Sequence, residues 1–133
     1  MRARIVGLWL VAVAVAACAT ALPPTVKVTD INTLAGTYSG KMKETGAFDR
    51  SAELVVQPGG KFELTASEPN GFRTVGLLTL APDGTLTYRH DELRGHGVVF
   101  TGKGVVREGD GRRVIVLTTD DGSTTITVSK SLS

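Results

Sequence analysis

The 133-residue chain is poor in the residues that most often carry chemistry: one cysteine (Cys18), two histidines (His90 and His96) and only 5% aromatics. A single thiol closes no intrachain disulfide, so stability has to come from an ordinary core. No Gly-x-Ser-x-Gly elbow accompanies the histidines and the carboxylates are scattered without an evident pair, so nothing in the sequence calls for an enzyme. Acid pairs assembled in space from distant strands leave hydrolase-like chemistry as a minor alternative. No basic stripe with interleaved aromatics is present, which removes support for nucleic-acid binding. No long window keeps a helical period, which argues against parallel βαβ folds. The longest apolar run, residues 5–17, falls short of the roughly 20 residues that a membrane-spanning helix needs.

That run is the first informative feature. It follows a basic Met1-Arg2-Ala3-Arg4 start and closes with Val15-Ala16-Ala17-Cys18, the layout of a secretory signal ending on small residues. The segment resembles the lipobox of bacterial lipoproteins. The resemblance implies cleavage before Cys18, a diacylglyceryl group on its thiol and usually a further acyl chain on its amine. One chain binds a membrane only marginally, whereas two or three hold it essentially permanently. The protein is thus expected in the cell envelope, tied to a membrane through lipidated Cys18. Ala19 occupies the position where an Asp marks inner-membrane retention, which implies an outer-membrane location facing the periplasm in a Gram-negative source. The alternative is an ordinary signal or N-terminal anchor helix in which Cys18 is merely a small buried thiol.

Cleavage there removes 17 of the 133 residues and leaves 116, a usual size for one domain. Loss of Arg2 and Arg4 leaves 13 basic against 13 acidic residues, so the precursor's formal charge of +2 falls to zero. Three stretches are expected: a signal peptide over 1–17, the lipidated cysteine and a tether over 18–33, and a β domain over 34–133. Pro23-Pro24 suits a semi-extended tether, with a first strand over 25–29 as the alternative.

From residue 34 on, Val, Ile, Thr, Phe and Tyr alternate with polar residues between recurring Gly-containing breaks. Eight strands are expected, over 37–43, 52–57, 61–66, 73–80, 85–90, 97–107, 113–118 and 124–129. Pro58-Gly59-Gly60 and Pro82-Asp83-Gly84 place Pro and Gly as hairpin turns require, and Glu108-Gly109-Asp110-Gly111 and Asp120-Asp121-Gly122 serve the later pairs. Leu54 to Leu64 and Leu78 to Tyr88 match as hairpins 24 residues apart, which convergent turn chemistry explains as well as duplication does. One face of each strand is apolar and the other mostly Ser, Thr, Glu, Lys or Arg. The fold class expected is all-β, an eight-stranded antiparallel up-and-down barrel, with a β-sandwich as the alternative.

Asn32-Thr33-Leu34-Ala35-Gly36-Thr37-Tyr38, entering the first barrel strand, resembles the opening motif of lipocalin-like barrels, in which a Gly stands two residues before an aromatic. A similar Leu-x-Gly-x-Tyr opening followed by x-Asp-Gly hairpins occurs in bacterial envelope lipoproteins, including the copper-stress group. The chain departs from both. It has Tyr38 where lipocalins usually carry Trp, it is shorter than they are, and it lacks the paired cysteines of the copper-stress proteins. The resemblance implies the fold and transfers no catalytic residue.

An apolar concave face with this opening suggests a noncatalytic module that binds a small apolar ligand. Tyr38, Phe62, Phe72, Tyr88 and Phe100 are its expected lining, although the same residues could simply fill a small core. A competing expectation is a structural or assembly accessory that contacts another envelope protein by its outer face. An apolar cavity would favour the ligand; a filled interior beside an exposed apolar patch would favour the protein partner. Third comes metal handling through His90, with Asp91 and Glu92, and His96, which lacks a second ligand pair at diagnostic spacing. The stretch 97–104 has two Gly and a Lys like a phosphate loop, but Gly104 stands where Ser or Thr is needed and no helix follows, so it reads as a strand with a bend. No cofactor is expected.

Overall fold

Alternation of apolar and polar residues along most of their length makes the strands two-faced, and a two-faced sheet buries its dry side by curling upon itself. The computed structural model describes residues 21–67, 71–92 and 99–132, with residues 72, 90–92 and 99 described by their backbone alone. The elements are β1 (Thr25–Val26), one 3-10 turn (Ile31–Leu34), β2 (Gly36–Glu44), β3 (Arg50–Val56), β4 (Lys61–Ala66), β5 (Phe72–Leu80), β6 (Leu86–Glu92), β7 (Val99–Gly109), β8 (Arg112–Thr119) and β9 (Thr124–Ser131). Strands β2 to β9 pair in sequence order, all antiparallel, and β9 returns to β2 from Ser39 opposite Ser129 to Glu44 opposite Thr124. The result is a closed eight-stranded up-and-down barrel, as the alternation and the turn residues predict. Strand β1 is the ninth and lies outside the closed circuit.

Closure demands tight bends, and glycine supplies them. At Gly40 in β2 an added Cβ would stand 2.0 Å from the Thr127 carbonyl oxygen, and at Gly102 in β7 one would stand 2.2 Å from that of Thr118. In both places a neighbouring strand passes too close for any other residue. Gly104, also on β7, leaves room for Leu86 and Leu117. Gly102 and Gly104 therefore sit in a strand, as the sequence suggests, where neighbouring groups come close.

Inside, Tyr38, Leu54, Leu64, Leu78, Leu86, Ile115, Leu117 and Val128 belong to one buried cluster that extends through every barrel strand. Leu34, Tyr38, Leu54, Ile115 and Leu117 have no accessible surface at all. A gap wide enough for a water molecule beside any of them would leave some accessible, so around these side chains the interior is filled.

Residues 21–33 are packed onto the barrel instead of standing off as a tether, and the alternative strand expected over 25–29 forms at Thr25–Val26. Pro23 is buried, β1 pairs Thr25 with Arg107 and Val26 with Val106, and Val28 and Leu34 join the core. The physical reason lies in β7. Its partner β6 begins at Leu86, opposite Gly104, so the last residues of β7 would show an unpaired edge on that side if β1 did not take it. The N-terminal segment thereby covers the barrel end formed by the β3–β4, β5–β6 and β7–β8 turns.

Candidate functional site

Of the five aromatic residues expected to line a ligand space, three fill the barrel. Tyr38, Phe62 and Tyr88 are 0%, 3% and 3% exposed. Phe62 and Tyr88 meet edge to face, with centroids 6.4 Å apart and planes at 72°. The Tyr88 ring lies over Gly102, where an added Cβ would approach it to 2.5 Å. Burial pushes the Tyr88 hydroxyl up to about 12, and the carboxylates of Asp120 and Asp121 push the same way. Phe100 is 40% exposed. Phe72 forms the first residue of β5, opposite Ala66, and is described by backbone alone.

The covered end carries the densest polar network. Tyr38 donates its hydroxyl proton to the Leu34 carbonyl over 2.8 Å, locking the 3-10 turn onto β2. Arg113 of β8 donates from Nε to Glu108 Oε2 at 2.6 Å and from Nη1 to the Thr33 carbonyl at 2.6 Å, with the Tyr38 hydroxyl 3.4 Å away. Lys130 Nζ lies 5.7 Å from the Tyr38 ring centroid and 3.4 Å from the Ala35 carbonyl oxygen. Burial raises the Tyr38 phenol above its ordinary value, against the lowering effect of the Arg113 hydrogen bond. These groups satisfy one another, which is the arrangement of a structural clamp.

At the opposite end, His90 stands in β6 opposite Gly76 of β5 and Phe100 of β7. Its side chain, those of Asp91 and Glu92, and all of His96 and Cys18 lie outside the described residues. Among the described residues no group of three His, Cys, Asp or Glu side chains could hold a metal. The β8–β9 turn instead uses its acids locally. Asp121 Oδ1 accepts from Ser123 N, Ser123 Oγ and Thr119 Oγ1 at 2.8–2.9 Å, which holds its carboxyl below the usual range. Thr101 Oγ1 donates to Asp120 at 2.6 Å.

Among the described residues, concavities lie on the outside of the barrel. A shallow groove of about 980 Å³ runs across the outer face of β4 to β7. Its central row follows from register: Lys61 lies opposite Leu77, Leu77 opposite Arg89, and Arg89 opposite Thr101. Val75 and Lys103 flank that row. Leu77 is 45% exposed and Val75 37%. Two acids line this groove: Glu63, engaged by Arg73 at 2.7 Å in a hydrogen bond that holds its carboxyl below the usual range, and Asp120, which accepts from Thr101 at 2.6 Å. The floor is apolar and the nearest cations are Lys61, Arg89 and Lys103.

No protein family, curated protein or solved structure matches the chain. The groove therefore has to be read from its own chemistry. Within it Thr101 Oγ1 donates to Asp120 at 2.6 Å, and the exposed apolar floor at Val75 and Leu77 suits a contact surface. The sequence assigns these residues to a mostly polar face and does not single them out as a site. The available signal was a break in period two: Val75-Gly76-Leu77-Leu78 and Val105-Val106 place apolar residues on both faces of one strand. By contrast, the outer face of β2 to β4 presents Ser39, Ser51, Glu53, Thr65 and Ser67.

Proposed function

We propose that this protein is a noncatalytic, lipid-anchored module of the cell envelope that docks an acidic, partly apolar segment of another envelope protein on the outer face of β4 to β7. The observation that supports the reading is an interior filled, among the described residues, around Leu34, Tyr38, Leu54, Ile115 and Leu117 beside an exposed apolar row at Val75 and Leu77. Lys61 and Lys103 beside that row give the partner its chemistry, since Glu63 is held by Arg73 and Asp120 by Thr101, and exposed cations speed encounter with acidic partners. The envelope address rests on the lipobox residues Val15 to Cys18. An enclosed apolar ligand, the other reading, would require Tyr38, Phe62 and Tyr88 to leave packed positions for it.

Photocrosslinking in the native host tests the docking. A photoreactive residue at Leu77 is expected to capture a discrete envelope protein, while one at Thr127, on the Thr- and Ser-rich side, does not, and Lys61→Glu with Lys103→Glu should weaken the adduct. Equal capture at both positions overturns the proposal, as does a tightly held apolar molecule released from the purified protein in native mass spectrometry. Labelled lipid precursor should enter the wild type and not Cys18→Ala; equal labelling of both removes the lipid anchor.

A further inference from the structure

Resting on acylation of Cys18, we infer that the mature barrel stands end-on on its membrane, with the β3–β4, β5–β6 and β7–β8 turns toward the lipid headgroups and the opposite end turned away. Three observations carry this. The first is reach. Pro23 is buried against Gly109 and its carbonyl accepts from Arg107 at 3.1 Å, so the chain is fixed to the barrel from that residue on. Five residue steps separate Cys18 from Pro23, and they span at most about 18 Å however they run. The lipids therefore enter beside the covered end.

The second observation is apolar. Leu22 and Leu132 are 45% and 41% exposed. Leu132 N donates to the Gly111 carbonyl at 2.8 Å, and Pro23, next to Leu22, packs on Gly109. Both leucines thus flank the β7–β8 turn, on the side from which the lipids come, where an apolar side chain gains by entering the headgroup boundary. The third is charge. With the Arg113–Glu108 pair cancelling, the covered end shows Lys27, Arg107, Arg112 and Lys130 against Asp30, Asp83 and Asp110. Among the described residues the far end shows Glu44, Asp49, Asp120 and Asp121 against Lys43 and Arg50. An anionic headgroup layer acts over about one Debye length, roughly 8 Å at physiological salt, so it favours contact by the covered end and opposes contact by the acidic one.

End-on standing leaves the β4–β7 groove facing sideways, open to a neighbour tied to the same membrane. The test uses the full lipidated protein in vesicles of phosphatidylethanolamine and phosphatidylglycerol carrying spin-labelled lipid that quenches fluorescence on contact. With Cys18 acylated, a single added cysteine is the only free thiol, so a small fluorophore can be placed at Leu132→Cys, Pro82→Cys, Leu77→Cys or Phe48→Cys, all exposed positions. Most of the fluorescence should be lost at Leu132→Cys and Pro82→Cys, little at Leu77→Cys and none at Phe48→Cys. Deepest quenching at Leu77→Cys means a barrel lying on its side, and equal values at Phe48→Cys and Leu132→Cys mean free tumbling; either overturns the orientation. The mass of the reconstituted protein separates the two readings, because unacylated Cys18 defeats the anchor itself, whereas acylated Cys18 with either of those patterns defeats the orientation alone.

Discussion

At Gly102 a missing carbon decides how two strands and a ring fit together. The Thr118 carbonyl lies 2.2 Å and the Tyr88 ring 2.5 Å from where a Cβ would be, and the backbone of β8 cannot retreat as the end of a flexible side chain could. Gly102→Ala should therefore cost about 1–3 kcal/mol, read as a lower urea midpoint at unchanged m-value. Gly46 gives the contrast. Its added Cβ would meet nothing within 4 Å, so at φ +80° only backbone strain of about 1–2 kcal/mol applies. A Gly102→Ala domain as stable as the wild type would show that β7 and β8 are not packed this closely.

On the scale of elements, Arg113 is the side chain of the covered end's clamp that ties separate strands to the 3-10 turn. Arg113 ties β8 to Glu108 of β7 and to the Thr33 carbonyl in the 3-10 turn, and its side chain is only 14% exposed. Arg113→Met keeps most of the stem but leaves that carbonyl and the Glu108 carboxylate without their donor, for an expected loss of about 1–3 kcal/mol. Amide exchange should then quicken at Glu108, whose N–H bonds the Pro24 carbonyl, before it quickens at Ile115 in the core. Exchange unchanged at Glu108 would show that β1 is held without Arg113. The sequence revealed the elements unevenly. All eight barrel strands were legible within a few residues, because alternation and Gly-containing turns are local signals and a closed barrel satisfies both. Strand β1 was legible only as the alternative to a tether, since two residues beside a Pro-Pro pair carry almost no period and their pairing depends on where β6 begins, at Leu86. The site was legible in part: Tyr38, Phe62 and Tyr88 were found as inward residues, but whether they line a space or fill it depends on how closely the strands pass, which alternation does not encode. Val75 and Leu77 were overlooked because outward apolar residues leave the fold unchanged.

For the molecule as a whole, base should be the effective denaturant. Tyr88 is raised from the ordinary 10 to about 12 by burial, and Tyr38 is raised as well. Below pH 10 both phenols are neutral in the folded and unfolded chains alike, so their stabilising effect is complete. Between pH 10 and 12 the unfolded chain ionises Tyr88 and the folded one does not, so stability falls and the effect is gone above the folded value. The loss through Tyr88 is about 2–3 kcal/mol. These are the only two tyrosines, and Trp9, the single tryptophan, lies in the segment expected to be cleaved. Tyrosinate absorbance should therefore rise together with loss of the β circular dichroism above pH 10, and later in Tyr88→Phe. Ionisation near pH 10 with the fold intact would show that neither ring is sealed in the interior.

The pairing of β1 with β7 has a mechanical consequence. β1 runs antiparallel to the end of β7, with its N-terminal residue nearer the covered end of the barrel. Tension drawn through Pro23 along that axis strains the Glu108–Pro24 and Arg107–Pro23 bonds and the β1 ladder in shear, all at once, instead of peeling them apart one by one. A barrel held on a membrane by its first residues would thus resist being pulled from that end more strongly than two paired residues suggest.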